Sequence, residues 1–313
     1  MNTVEAKTQD AIAADGGVKA KGKTKRRFKE GKTPGFWLAL PSMIVLLLFF
    51  VIPLVLILIY SFQEPYTFEL ASKFSLDNYR DFVGEKYYST LGWSVVVAIL
   101  TTLFTFILSY PCAYGMVKVF TKRSIWITLL LVMPIFVTSN IRLYGWTLIL
   151  LKGGYLHFLT SWIPGMAETE FLYNFPVIIM GTTYIYFPFM LFPLVLGLGM
   201  VDDEAVEAAI DLGANRWQVL KEVEFPMAAA GVFIGGLLVF VLSLGSMVEA
   251  QVLGGNVITT FADDMHHAFS FQQNWPLGSA LSVIILAITL GLIILVLRYV
   301  NLDRLLSSRA KLG

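Results

Sequence analysis

The chain has 313 residues, 57% of them apolar and 14% charged, with a mean hydropathy of +0.71. Soluble domains average roughly 25% charged residues, and this apolar surplus exceeds what a soluble core of this size can bury, which argues against a soluble fold. The net charge is +1, so bulk charge indicates no particular partner, and we expect no nucleic acid among them. His157, His266 and His267 have no metal-binding spacing, so we expect no metal or cofactor on this chain.

Residues 1–35 are rich in Lys, Gly, Ala and Thr, and we predict a disordered, basic cytoplasmic tail there. Residues 17–24 spell G-x-x-x-x-G-K-T. That pattern cradles phosphate only between a buried strand and a helix. The flanking residues favour neither, so we interpret these residues as part of a tail that lies near anionic headgroups.

The next part of the chain, residues 36–300, is predicted to be a transmembrane domain, and residues 301–313 a cytoplasmic C-terminal tail. A helix needs about 20 apolar residues to cross the hydrocarbon layer. The apolar runs of that length are residues 36–62, 91–116, 124–151, 175–200, 228–253 and 279–300. The sequence therefore predicts an all-α integral membrane protein with six transmembrane helices.

The orientation follows from Lys and Arg in the connecting segments. Eighteen of these residues lie in the two tails and in the segments after the second and fourth runs, with Arg298 at the end of the last run counted in the C-terminal tail, against four in the other connections. The positive side is the cytoplasmic side. We therefore expect both termini in the cytoplasm of a bacterial inner membrane.

A charged segment, residues 201–225, separates the fourth and fifth runs. Asp202, Asp203 and Glu204 favour a helix start, and Gly213 favours its end. Asn215 and Gln218 have the spacing of a capping box that begins a second helix, which Pro226 is expected to stop before the fifth span. Ala205, Ala208, Ala209 and Leu212 fall on one shallow helix face that a partner can approach closely. The residues alone also fit an ordinary helical loop.

The sequence from Glu207 through Gly213 to Pro226 resembles the EAA signature of the membrane subunits of binding-protein-dependent ABC importers. That pattern is E-A-A-x3-G-x9-I-x-L-P, and this chain keeps its spacing, with Val223 and Phe225 in place of Ile and Leu. Further residues resemble the spermidine/putrescine permease branch. They are the stretches at residues 141–146, 153–156, 187–190, 253–255 and 274–280.

The resemblance implies a type I ABC importer permease fold with a cytoplasmic coupling helix between spans 4 and 5. Its partners would be a second permease subunit, in a heterodimer, two cytoplasmic ATPase subunits that hold ATP and Mg²⁺, and an extracytoplasmic solute-binding protein. The residues that would contact the ATPase or shape the coupling helix are Glu204, Ala205, Glu207, Ala208, Ala209, Asp211, Leu212, Gly213 and Pro226. The chain itself would be a translocation subunit and not an enzyme.

The substrate indicated by the resemblance is a small polar solute, with a polyamine or related amine as the leading candidate. Arg142 and Glu249 are ionisable residues inside the third and fifth predicted spans, which marks them as functional candidates. Glu249 would attract a cation, and Tyr144, Trp146 or Trp275 could add cation–π contacts. Arg142 would repel a cation, and a structural pair with Glu249 or snorkelling to the interface is the other interpretation.

Two other classes of protein are alternatives to an importer subunit. A secondary transporter or channel without an ATPase partner should contain internal repeats, and spans 1–3 and 4–6 show no convincing similarity. A membrane enzyme should carry His, Cys or Asp clusters at membrane depth, and the sequence has none there.

Overall fold

The computed structural model describes residues 34–69, 73–120, 124–162, 169–255 and 257–299. Its regular elements within those ranges are all helices, and an antiparallel bridge joins Gln63 to Phe74. The predicted all-α class is therefore confirmed. The predicted tails, with the motif at residues 17–24, lie outside the described residues, except that the first helix begins at Pro34.

The helices follow one another along the chain. They are α1 Pro34–Leu46, α2 Ile52–Tyr60, α3 Asp77–Gly84, α4 Tyr87–Tyr114, α5 Ser124–Val132, α6 Ser139–Leu150, α7 Tyr155–Thr160, α8 Phe175–Leu198, α9 Asp203–Asp211, α10 Arg216–Gln218, α11 Phe225–Leu244, α12 Val248–Gly254, α13 Phe261–Ser270 and α14 Trp275–Tyr299. Wider π-helical turns at Leu47–Val51, Gly115–Val119 and Val219–Glu224 extend or join them, and a 3₁₀ turn lies at Met133–Phe136.

Long apolar helices dominate the described residues. Helices long and apolar enough to cross a membrane are Ala39–Tyr60, Tyr87–Val119, Phe175–Leu198, Arg216–Leu244 and Trp275–Arg298. Two further helices, Ile125–Phe136 and Ser139–Thr160, are long and apolar enough only when they are taken together, and the chain bends by 93° between them. The described part of the chain thus has five spanning helices, or six if the bent pair counts as one.

The chain divides into one compact unit up to Ile52 and a second from Pro53 onward. In the first unit, the side chains of residues 43–52 are all exposed. These side chains are apolar, and a helix satisfies its own backbone hydrogen bonds, as lipid requires. The segment is therefore suited to contact with lipid.

The core of the second unit lies where α4, α8 and α11 pack together. The crossing of α8 and α11 depends on small residues, because a Cβ added to Gly231 would lie 2.3 Å from the carbonyl oxygen of Pro193. Gly197 lies at the same crossing, and a Cβ added to it would lie 2.9 Å from the Gly231 Cα. In a membrane the hydrophobic effect does not drive helices together. Close packing of the two backbones favours their association instead.

The third predicted span, residues 124–151, is not one straight helix. The helix tightens into a 3₁₀ turn at Met133–Phe136. Val137 and Thr138 are then extended, and the chain turns by 93° into α6. Pro134 accounts for the break, because it lacks an N–H to donate and its ring crowds the preceding turn.

The fifth span was also predicted incorrectly. Residues 228–253 were expected, whereas the helix begins at Arg216 and ends at Leu244. Pro226 therefore does not stop the second helix of the charged segment. It lies directly after the π-helical turn Val219–Glu224, and the helix continues through it. Glu249 is consequently not in this span but in α12, a separate short helix.

Candidate functional site

The charged segment forms the predicted helix, glycine turn and second helix. The Asp202 side chain accepts a hydrogen bond from the Glu204 N–H at 3.1 Å and caps α9. Gly213 has φ +88°, and its N–H and that of Ala214 bond to the carbonyls of Ile210 and Ala209. These bonds make a Schellman ending, for which glycine is favoured because its φ is positive.

The second helix begins with a complete capping box. The Asn215 side chain accepts from the Gln218 N–H at 2.9 Å, and the Gln218 side chain accepts from the Asn215 N–H at 2.8 Å. This helix has no break before the fifth span, so Arg216–Leu244 is one continuous element.

One side of α9 is packed and the other is open. Val206 packs against the buried cluster that includes Met116, Leu198 and Val201, while Glu204, Glu207, Ala208 and Asp211 are exposed. Exposed apolar groups lie in the same charged segment: Ile210 of α9 is 53%, Leu212 at its end 90% and Trp217 of α10 70% exposed. Apolar side chains grouped with charges on an exposed element are typical of an interaction surface.

An ion pair that the sequence did not reveal anchors the start of α9. The Lys118 ammonium contacts the Asp203 carboxylate across 85 positions of sequence. Lys118 belongs to the π-helical turn Gly115–Val119, which extends α4, and its side chain is only 18% exposed. The pair therefore joins the charged segment to a second spanning helix, which no local pattern could indicate.

A buried carboxylate lies in the interior of the second unit. Glu249 on α12 is 5% exposed and accepts a hydrogen bond from the Tyr186 hydroxyl of α8 at 3.1 Å. Trp146, Tyr184 and Tyr186 belong to one apolar cluster around α6, α8 and α12. We call the group Arg142, Trp146, Tyr184, Tyr186 and Glu249 the carboxylate cluster.

Arg142 lies on α6 at the edge of this cluster. Its guanidinium carbon is 5.6 Å from the Tyr184 ring centroid, and Tyr184 is in edge-to-face contact with Trp146 at 5.7 Å. Arg142 is an electrostatic neighbour of Glu249, although the ion pairs within 4.0 Å among the described residues do not include these two. The structure thus brings Arg142, Trp146 and Glu249 together without a direct bond between the two charges.

The other two predicted pathway residues lie elsewhere. Tyr144 is 58% exposed. Trp275 begins α14 and contacts Phe68 and Phe269 at ring distances of 6.2 and 6.1 Å. The sequence missed Tyr184 and Tyr186, whose only signal was their position inside the fourth apolar run.

The connection between the fifth and sixth spans carries a second polar group. Thr90 donates a hydrogen bond to Asp264 of α13, and Gln251 donates to Asp263 at 2.7 Å. Burial raises the pKa of Asp264, and the neighbouring Asp263 charge acts in the same direction. These bonds fix α13 against α4 and α12. Among the described residues, no group of three or more His, Cys, Asp or Glu side chains could hold a metal ion.

Residues 123–308 match the family described as Binding-protein-dependent transport system inner membrane component. The chain belongs to this family. It is 32% identical over 241 residues to the spermidine/putrescine transport system permease protein PotB of Escherichia coli (strain K12), covering 76% of this chain and 86% of that protein. The PotB protein of Haemophilus influenzae is 28% identical over 273 residues, covering 85% and 93%.

A solved structure shares the fold. The crystal structure of a bacterial ABC transporter involved in the import of the acidic polysaccharide alginate matches with a TM-score of 0.65 at 17% identity, covering 85% of this chain and 96% of that chain. The predicted importer-permease fold is therefore confirmed, and so is the membership predicted from the EAA signature. The protein is a multi-pass permease subunit of a binding-protein-dependent importer, and nothing supports the channel or secondary-transporter alternative.

Proposed function

We propose that this permease subunit imports a polyamine or a related small amine. The observation that carries the proposal is the buried Glu249 carboxylate, which has a Tyr186 hydrogen bond and aromatic neighbours. A carboxylate in such surroundings favours a cation, and aromatic faces add cation–π attraction to an ammonium group. The similarity to PotB proteins supports the same class of solute.

The energy enters from two ATPase subunits on the cytoplasmic side, which hold ATP and Mg²⁺. The exposed side of α9, with Glu207, Ala208 and Leu212, is the surface that docks into an ATPase groove. Because α10 continues into the fifth span, closure of the ATPases would move that span as a rigid body and alternate the access of the pathway.

The remaining parts of the importer follow from the same proposal. A second, related permease subunit completes the pathway, and a solute-binding protein delivers the amine on the outer side. Both termini and the charged segment face the cytoplasm, as the Lys and Arg distribution predicts. The alginate transporter has also been solved in complex with a periplasmic protein that carries an alginate pentasaccharide, which supports a binding-protein partner here.

The test is uptake of labelled spermidine by a bacterial host that lacks its own polyamine uptake. The chain is expressed with the products of its neighbouring genes, and unlabelled butane-1,4-diamine and an uncharged amide of similar length serve as competitors. We expect ATP-dependent uptake that the diamine inhibits and the amide does not. Uptake driven by an ion gradient alone, or absence of amine uptake by an assembled complex, would overturn the proposal.

A further inference from the structure

Two hydrogen bonds join α13 to the first turns of α4. The Phe261 N–H of α13 donates to the Ser94 hydroxyl of α4 at 2.8 Å, and one turn earlier on α4 the Thr90 hydroxyl contacts the Asp264 carboxyl. The first bond contains no titratable group, so it is the same at every pH. The second bond includes a carboxyl, so its chemistry depends on whether Asp264 carries a proton.

The Thr90 hydroxyl has more acceptors around it than it has hydrogens. Its oxygen lies 2.8 Å from the Tyr87 carbonyl oxygen and also contacts Asp264 Oδ2. A hydroxyl has one hydrogen, and a carbonyl oxygen can only accept. If Asp264 is ionised, Thr90 can donate to only one of these two oxygens at a time. If Asp264 is protonated, Thr90 donates to the Tyr87 carbonyl and accepts from Asp264, so both bonds form together.

The neighbouring carboxyl, Asp263, has a different set of partners. The Gln251 amide of α12 donates to Asp263 Oδ1 at 2.7 Å, and His267 Nε2 lies 3.9 Å from the same oxygen. A donor amide and a basic imidazole favour an ionised Asp263. Two adjacent carboxyls in different surroundings can separate into one ionised and one protonated group. Asp264 is the one that gains a bond by protonation, because its partner hydroxyl can accept.

The groups around Asp264 oppose one another, and burial decides the net direction. Burial is the largest cause and raises the pKa of Asp264, and the charge of Asp263 raises it further, while the Thr90 bond and the charge of His267 lower it. The net pKa lies above its ordinary value, in agreement with the count of hydrogens. α12 contributes the neutral Gln251, and residues 275–287 of α14, which packs on α13, have no ionisable side chain. The remaining ionisable side chains near this contact are His266 of α13, Tyr87 of α4, and Asp81 and Glu85 in and directly after α3.

We propose that Asp264 and Thr90 form a proton-operated clamp between α13 and α4. In the closed state Asp264 is protonated and donates to Thr90, which donates to the Tyr87 carbonyl. On ionisation the proton passes to water, one of the two Thr90 bonds is lost, and Asp263 repels the new charge beside it. The bond from Phe261 remains, so α13 loosens at its Asp264 side without detaching from α4.

The clamp also acts on α12. Gln251, which donates to Asp263, lies two positions from Glu249 on this helix of seven residues. α13 therefore holds the helix that carries the buried carboxylate of the carboxylate cluster. The consequence for transport rests on the proposed function, in which Glu249 attracts the solute and α13 faces the outer side. Because opening of the clamp loosens α12, we expect amine uptake to fall as the external pH rises.

Hydrogen exchange of α13 tests the clamp. The full-length chain is purified in lipid nanodiscs with its co-purifying partners. The protection factors of the amides at residues 261–270 are then measured from about pH 4, near the ordinary carboxyl value, to about pH 8. A protection factor already corrects for the intrinsic effect of pH on exchange. We expect protection to fall about threefold as pH rises, which is within the contribution of one hydrogen bond.

The variants separate this contact from other effects of pH. Asp264→Asn should keep protection high at every pH, because its amide donates to Thr90 as the protonated carboxyl does. Thr90→Val should keep protection low at every pH, and Thr90→Ser, which retains the hydroxyl, should resemble the parent. Ser94→Ala is the matched control, because it removes the bond without a titratable group. It should lower protection at every pH and leave the step in place. His267→Gln should also leave the step in place.

A step that persists in Asp264→Asn or disappears in His267→Gln would overturn the inference, as would a parent whose α13 protection does not change with pH. If Thr90→Val fails to fold, these two variants still decide. Uptake into liposomes, with external and internal pH varied separately, tests the link to transport. If the nanodisc result is as expected while uptake follows the internal pH, or while no amine is moved, the clamp stands and the orientation or the substrate class in the proposed function fails.

Discussion

The charged segment and the carboxylate cluster are assembled in different ways. The bonds that cap and turn the charged segment join residues two to five positions apart, as in the Asn215–Gln218 box and the Ala214 to Ala209 bond. The carboxylate cluster joins Tyr186 to a carboxylate 63 positions away. The first is a self-contained motif on the surface, and the second exists only when α6, α8 and α12 are packed.

This difference separates two tasks. A motif whose caps and turn form from local bonds can keep the same face toward a partner as it moves with the spans that it joins. A charge that depends on three packed elements responds to any change in their spacing. Under the proposed function, energy coupling belongs to the charged segment and solute discrimination to the carboxylate cluster, so variants in each should fail in different ways.

The largest effect is expected from Gly213→Asp. The residue has φ +88°, which any residue with a Cβ adopts less readily than glycine, and the new charge would lie on the proposed docking surface. A Cβ there meets no atom within 4 Å, so the fault is conformational and electrostatic, and membrane insertion should persist. Spermidine uptake should be abolished. Asn tolerates this backbone region, so Gly213→Asn should keep part of the uptake. Normal uptake by Gly213→Asp would remove the coupling assignment.

Glu249→Gln should have the next largest effect, which is a reduced uptake of cationic solutes. The amide oxygen can still accept from Tyr186, so the shape of the cluster is kept while its charge is lost. Loss of one close charge interaction with an ammonium group in the interior predicts a fall in uptake of about 10- to 100-fold, or roughly 1.4–2.8 kcal/mol. Glu170→Gln is the matched control, because its side chain is 69% exposed. Equal uptake by Glu249→Gln and the parent would exclude Glu249 from the pathway.

The Lys118–Asp203 ion pair should matter less. Asp203 is 81% exposed, and exposed pairs contribute about 0.2–1 kcal/mol. A double-mutant cycle with Lys118→Met and Asp203→Asn, read by thermal unfolding and by uptake, should give a coupling energy within that range. The exchanged pair Lys118→Asp/Asp203→Lys should recover part of the uptake. A coupling energy of zero in both measurements would show that the pair does not link α9 to α4.

The smallest effect is expected from Asp264, which belongs to neither region. Its folded-state pKa lies above its ordinary value, so the folded protein binds this proton more tightly than the unfolded chain does. Its contribution to stability is therefore present below the ordinary value and decreases as pH rises through the raised pKa. Asp264→Asn should flatten the dependence of the unfolding midpoint on pH above about 4, which is near the ordinary carboxyl value. An unchanged slope would contradict the assigned pKa direction.

Sequence patterns predicted the charged segment well because its determinants are local. Asp202, Gly213 and the Asn215–Gln218 box lie where capping rules place them, and each was confirmed. The start of the fifth helix was missed because hydropathy detects the apolar part of a helix, whereas this helix begins in the charged residues from Arg216. The break in the third run lies at Pro134, but the sequence did not predict the 93° turn, because the direction of α6 depends on how it packs on α8 and α12.

The carboxylate cluster shows what sequence could not supply. Arg142, Trp146 and Glu249 were identified by residue type, yet their proximity to Tyr184 and Tyr186 is a result of packing. Tyr144 is one helical turn or less from Arg142 and Trp146, but it faces outward. Trp275 satisfied the same aromatic criterion and lies in a different group, with Phe68 and Phe269.

The division of tasks between the two regions is tested most directly by measuring ATP hydrolysis and spermidine uptake together. The reconstituted importer, with its binding protein, is compared with the Gly213→Asp and Glu249→Gln variants in the same liposomes. We predict that Gly213→Asp loses both binding-protein-stimulated hydrolysis and uptake, while Glu249→Gln keeps hydrolysis and loses most uptake. Stimulated hydrolysis that survives in Gly213→Asp and disappears in Glu249→Gln would contradict the account.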